Sequence, residues 1–210
     1  MRLLWEHFGR KGMTLGNPDS LPECLEQALA RRQPKAHPEW QAKPAAILIP
    51  LYRERGVWHL LFTRRTDSVD SHKGQVSFPG GLIEPQDQTP VLAALREAEE
   101  ELGLRRQDVR VLGTMDAHLT VTDFVISPVV GIIPWPYPLQ INKAEVAVAF
   151  GVPLTWLADP ANLQDEHPLM HHSGSDLTVY YFKPFEGEVI WGATARITLD
   201  FIQMLTEPLE

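Results

Sequence analysis

The chain has 210 residues, 44% of them apolar and 22% charged, with a formal net charge of −8. That length suits one domain. The apolar share supports a sizeable core and argues against wholesale disorder, and the acidic balance argues against broad binding to nucleic acid or anionic membrane. No run approaches the roughly 18 apolar residues of a membrane span, and the first residues lack the apolar stretch of a signal peptide. Cys24 is the only cysteine, so no intramolecular disulfide forms and a cytoplasmic location is expected.

Residues 1–44 are expected to form a helical extension and linker, and residues 45–210 the main domain. Ser20-Leu21-Pro22-Glu23 has capping-box spacing and opens a helix to about Arg32, with Leu21, Leu25 and Leu29 on one face. Pro34, Pro38 and Pro44 then mark an extended linker. Packing of this segment on the core and its use in a homodimer interface both stay open. Ala45–Leu51 and Val57–Thr63 read as strands joined by a hairpin at residues 53–56. Residues 64–74 are polar loop, and Gln75–Phe78 is a short strand entering a Pro79-Gly80-Gly81 turn.

A helix follows, with Thr89 as N-cap, Pro90 at the first helical position and Gly103 as its left-handed stop. Val91, Leu95, Ala98 and Leu102 form its apolar stripe. Val109–Met115, Phe124–Pro134 and Glu145–Val152 read as further strands, and residues 134–138 as a proline loop. Pro153–Leu157 starts a short helix. Thr178–Phe182 reads as a strand in a hairpin with Val189–Trp191, and Ala193–Leu205 as a final helix. Strands, helix, strands and helix in that order favour an α/β fold with a mixed sheet between helices.

Glu97, Glu100 and Glu101 fall together on one face of the central helix, because residues three and four apart are neighbours. Like charges at this spacing oppose helix formation, and the macrodipole disfavours anions near a helix C-terminus. A bound cation would offset both costs, and clustered carboxylates suit a hard divalent ion, Mg²⁺ or Mn²⁺. Arg65 is the candidate phosphate ligand, because strand alternation sends only one of Arg64 and Arg65 to a given face. Phe78 and Phe124 are candidate substrate-binding residues, although such aromatics are more often core. His72 and Lys73 fit exposed loop residues as well as phosphate contacts. His167, His171 and His172 lack a zinc-ligand spacing and read as loop.

Arg96–Leu104 resembles the end of the Nudix box, in which Arg-Glu, two residues, Glu-Glu, one residue and Gly follow an upstream glycine and acid. Here Gly81, five residues, Asp87 and eight further residues lead to Arg96. The usual box has glutamate at the acid and seven residues after it. Leu61–Arg65, Gly74–Gly81, Ser127–Gly131, Glu145-Val146 and Trp191–Ala195 resemble segments of the coenzyme A pyrophosphatase branch. Asp70 stands where that branch expects arginine, and Thr66 where it expects serine or alanine.

The resemblance implies a Nudix-like α/β/α sandwich. It also implies metal-dependent hydrolysis of a pyrophosphate bond in a nucleotide substrate, with coenzyme A or a derivative leading. The runners-up are ADP-ribose, a dinucleoside polyphosphate, or a role as a non-catalytic nucleotide sensor. Glu97, Glu100 and Glu101 would hold the metal with a backbone carbonyl of the Gly80-Gly81 turn, Gly81 being the expected one. Glu100, Glu101 or Glu145 would be the general base. Arg96 is grouped with the catalytic residues, and its better use is to clamp loop to helix through Asp87 or Glu100.

Overall fold

The computed structural model describes residues 19–32, 42–66, 74–170 and 176–206. Its helices are α1 (Leu21–Arg31), α2 (Pro90–Leu102), α3 (Leu154–Leu157) and α4 (Gly192–Thr206). Eight strands build one sheet: β1 (Lys43–Glu54), β2 (Val57–Arg65), β3 (Val76–Ser77), β4 (Gly80–Leu82), β5 (Arg110–Thr114), β6 (His118–Leu119), β7 (Phe124–Ile132) and β8 (Val146–Pro153). A separate hairpin pairs β9 (Leu163–Met170) with β10 (Asp176–Phe182).

The sheet is mixed. β7 runs parallel to β1, and the other pairings are antiparallel. β1 is central and buried on both faces, which is why it reads as a nearly continuous apolar run. Its hairpin with β2 turns at Arg55 and Gly56, both with positive φ, the combination that a tight two-residue turn requires. Beyond Leu51 and Leu60 the register of the two strands no longer joins them. β4 pairs with β1 at Ala45–Ile47, and β3 pairs with β2 at Thr63–Arg64. The Leu48 N–H donates to Pro79 O at 2.9 Å across this seam. Gly80 and Gly81 are thus a strand rather than a free turn, inserted where β1 and β2 part.

The two-residue repeat sorts the core into layers. Ala46, Leu48 and Leu61 face Ala93, Ala94, Ala98 and Leu102 of α2. Ile49, Leu51, Leu60 and Phe62 face the opposite layer, built from α1, α3 and α4 through residues such as Leu25, Leu157 and Phe201. This is the expected α/β/α sandwich. Leu21, Leu25 and Leu29 of α1 belong to the same buried cluster as the sheet residues.

Two strand expectations change. β10 takes β9 as its partner, and only a single bridge, Tyr181 to Trp191, survives of the expected pairing with 189–191. Leu163–Met170 lacks a clear apolar alternation, so it does not read as a strand in the sequence. His167 therefore lies in a strand, whereas His171 and His172 fall outside the described residues, as do Asp70, His72 and Lys73.

Candidate active site

α2 is capped as its sequence directs. The Thr89 hydroxyl accepts from Leu92 N–H at 3.2 Å, and Gly103 closes the helix at φ 66°. Two charged residues of α2 are buried as well, Arg96 at its middle and Glu101 in its last turn. Arg96 is 8% exposed and Glu101 3%.

Arg96 spends all five N–H donors on its surroundings. Nε and Nη2 bind Asp87 Oδ1 and Oδ2 at 3.2 and 2.9 Å, Nη2 also reaches Leu82 O at 3.1 Å, and Nη1 reaches Glu97 Oε1 at 2.9 Å and Glu100 Oε2 at 3.2 Å. Asp87 in turn accepts from Glu84 N–H at 2.9 Å. The guanidinium beside it holds the Asp87 carboxyl below the usual range. The loop from β4 to α2 is therefore bound to the helix by a bidentate ion pair, and Arg96 has no donor left to offer a substrate.

The carboxylates differ in surroundings. Burial pushes Glu101 up to about 8, opposed by Arg65 and reinforced by Glu97 and Glu145. Burial also raises Glu97, where Arg96 opposes and Glu100 and Glu145 reinforce. Glu145 thus shares a field with Glu97 and Glu101, although it arrives from the turn before β8. The Glu100 side chain is 56% exposed and reaches back to Arg96. On β2, Arg64 turns away to pair with Glu188 at 2.9 Å, while Arg65 Nη1 lies 3.9 Å from Glu101 Oε1. Arg65 Nε and Glu101 Oε2 are both buried without a hydrogen-bond partner.

These residues fit a divalent cation on three grounds. Unpaired buried carboxylate oxygen is costly unless something supplies positive charge, and Glu101 Oε2 is such an atom. Glu97 and Glu145 raise the proton affinity of Glu101, and Glu100 and Glu145 raise that of Glu97, which a cation would relieve. A Cβ at Gly81 would stand 2.4 Å from Glu97 Oε1, so only glycine brings backbone this close to that carboxylate. Among the described residues no three acidic, histidine or cysteine groups already converge as a ligand shell, because Arg96 draws Glu97 and Glu100 toward itself.

The two aromatic candidates lie elsewhere. Phe78 is 2% exposed and stacks on Phe62 at 4.6 Å between ring centres, in the layer opposite α2. Its alternation aims it inward, so it has no open face for a substrate. Phe124 starts β7 in the same repeat as Ile126 and Val130, which pack on the α1–α4 layer. Asn142, which the sequence does not single out, joins the site through Glu101 and Glu145. Its only signal is its place three residues before Glu145. A cleft of about 310 Å³ opens on the other face of the sheet, lined by Met115, His118, Arg196 and Asp200 among others. None of Glu97, Glu100, Glu101 and Glu145 lines it.

A glycine-edged strand, a clamped acidic loop and a helix ending in clustered glutamates define a Nudix domain, and a family model of that description, NUDIX domain, matches residues 42–173. The chain belongs to this family and is a Nudix hydrolase. It is 39% identical over 170 residues to the uncharacterized Nudix hydrolase NudL of Klebsiella pneumoniae subsp. pneumoniae, covering 80% of this chain and 85% of that protein. The NudL protein of Cronobacter sakazakii is 33% identical over 193 residues, covering 90% and 98%. Among solved structures, a C. elegans Ap4A hydrolase binary complex has 17% identity over 53% of this chain and 80% of its own, with a TM-score of 0.45. At that score the likeness carries no weight, and the family rests on the sequence matches. Nudix hydrolases act on nucleoside diphosphate derivatives and generally use divalent metal ions.

Proposed function

We propose that this hydrolase cleaves a pyrophosphate bond in coenzyme A or a derivative, giving 3′,5′-ADP and 4′-phosphopantetheine, with Mg²⁺ or Mn²⁺ as cofactor. The observation that carries the metal-dependent chemistry is the buried, unpartnered Glu101 Oε2 beside Glu97 and Glu145. The choice of coenzyme A is supported by the resemblance of Leu61–Arg65 and Gly74–Gly81 to that branch.

Glu97, Glu100 and Glu101 would hold the metal, with a backbone carbonyl at Gly81. The bound ion would polarise phosphoryl oxygens and acidify water. Arg65 pairs with a phosphate oxygen and Glu145 accepts the proton of the attacking water. The water oxygen bonds to one phosphorus as the bridging P–O bond breaks, and the leaving phosphate takes the electron pair. Arg96 touches neither reactant. It fixes Glu97 and Glu100 relative to the loop, which is how a positioned electrostatic site gains its rate.

The test is hydrolysis of coenzyme A, ADP-ribose, NADH and diadenosine polyphosphates with Mg²⁺. Coenzyme A is expected to turn over fastest, and a preference for ADP-ribose overturns the substrate assignment. Glu101→Gln should lose at least about 100-fold in rate, and full metal-dependent activity in that variant overturns the metal site.

A further inference from the structure

Asn142 uses every polar group it has. Its N–H donates to Glu101 O at 2.9 Å, and its carbonyl accepts from Glu145 N–H at 3.0 Å and Val146 N–H at 2.9 Å. Its side-chain Oδ1 accepts from Ala144 N–H at 3.1 Å, and Nδ2 donates to Glu145 Oε1 at 3.1 Å. The amide orientation follows from these partners, since the reverse would set oxygen against carboxylate. The same turn is tied to the end of β2, where Thr66 N–H donates to Glu145 O at 2.9 Å and its hydroxyl to Ala144 O at 3.1 Å.

One residue therefore joins the last turn of α2, which carries Glu101, to a carboxylate from a distant part of the chain. Without a fixed donor, a half-buried glutamate has several rotamers open to it, and a misplaced general base loses rate steeply. A short side chain with both an acceptor and a donor is needed to cap Ala144 and hold Glu145 at once. Serine at this position keeps an acceptor for the cap and cannot reach Glu145. Aspartate keeps the cap and turns the Glu145 contact into a repulsion.

We infer that Asn142 is a positioning residue that holds the Glu145 carboxylate toward the Glu97 and Glu101 cluster, an inference that rests on Glu145 accepting the proton of the attacking water. The ladder is local and the bond to Glu145 is a single neutral donor on a carboxylate, so its loss should move the rate more than the fold.

The experiment compares wild type, Asn142→Ser, Asn142→Asp, Glu145→Gln and the Asn142→Ser/Glu145→Gln double variant. Each is assayed with Mg²⁺ on whichever compound of the substrate panel wild type hydrolyses, alongside thermal melting. Asn142→Ser should lower kcat about 10-fold with KM little changed, and Glu145→Gln about 100-fold. The double variant should be no slower than Glu145→Gln alone, because residues that act through one group are not additive. If Asn142→Asp fails to fold, the serine variant carries the comparison. Wild-type kcat in Asn142→Ser beside a slow Glu145→Gln overturns the role of Asn142 alone, as does a double variant slowed by the product of the two effects. Wild-type kcat in Glu145→Gln, or hydrolysis of no compound in the panel, overturns the reading of Glu145 and this inference with it.

Discussion

Glu101 faces Arg65 across 3.9 Å and buries its second carboxylate oxygen without a hydrogen-bond partner. The pair is too long for a direct hydrogen bond, so Arg65 offsets only part of the burial. The Glu101 carboxyl consequently sits at about 8 in the folded protein, against roughly 4.3 for a solvated glutamate. Between those values the folded chain keeps a proton that the unfolded chain has lost, so stability falls as the pH rises through the window. In chelator, Glu101→Gln should gain stability relative to wild type by up to about 1.4 kcal/mol per pH unit from about pH 5 to pH 8. Urea unfolding at several pH values measures this, and a difference that does not change with pH counts against it. Added Mg²⁺ at pH 8 should raise the melting temperature of wild type and leave the variant nearly unmoved.

Gly80 and Gly81 are adjacent and should fail in different ways. A Cβ at Gly80 would lie 2.4 Å from Ala46 O and 2.7 Å from Ile47 Cα, which are backbone atoms of the central strand. Gly80→Ala should therefore cost about 3 kcal/mol of stability. The three atoms nearest a Cβ at Gly81 all belong to the carboxylate end of the Glu97 side chain. Gly81→Ala should keep a near-wild-type urea midpoint while raising the Mg²⁺ concentration for half-maximal activity about 10-fold. Equal stability losses in the two variants would contradict the assignment of the second clash to the carboxylate alone.

Removal of Arg96 strands several carboxylates at once. Arg96→Ala should destabilise the protein by about 3 kcal/mol, because it leaves Asp87 and Glu97 without their charged partner in a largely buried setting. Lysine has one nitrogen where the guanidinium has three, so Arg96→Lys should recover little of the loss. Equilibrium unfolding in urea reads both, and a lysine variant as stable as wild type would show that the forked geometry is dispensable.

Leu25 tests whether the N-terminal helix belongs to the fold. It is fully buried within the cluster that includes Ile49 and Phe201. Leu25→Ala should cost about 3 kcal/mol, seen as a lower urea midpoint with one cooperative transition. A separate early transition would instead mark the helix as an independently detaching element.

Local signals in the sequence translated well into structure, and long-range ones did not. Thr89, Pro90 and Gly103 bound α2 because caps act within one turn. The unbroken apolar run Ala45–Leu51 marks β1 because burial on both faces is written into consecutive residues. Pairing across the chain has no such signature: β6 is two residues long, and β9 carries polar residues where an alternating pattern would be expected. Phe78 illustrates the same limit at the site, since its closeness in sequence to Gly80 does not reveal that alternation turns its ring away from α2. Asn142 was illegible because its role depends on Glu101, 41 residues earlier in the chain.

The one-residue lengthening between Asp87 and Arg96 leaves their bidentate contact intact. Only Gln88 lies between Asp87 and the Thr89 cap, where the chain has not yet entered the helix and backbone direction is unconstrained by its ladder. Separation counted along the chain is thus a loose proxy for this site, and the reach of a guanidinium to a carboxylate is the stricter one. A search for related domains by three-dimensional arrangement of glycine, acid and arginine would admit insertions at this cap that a fixed-interval pattern discards.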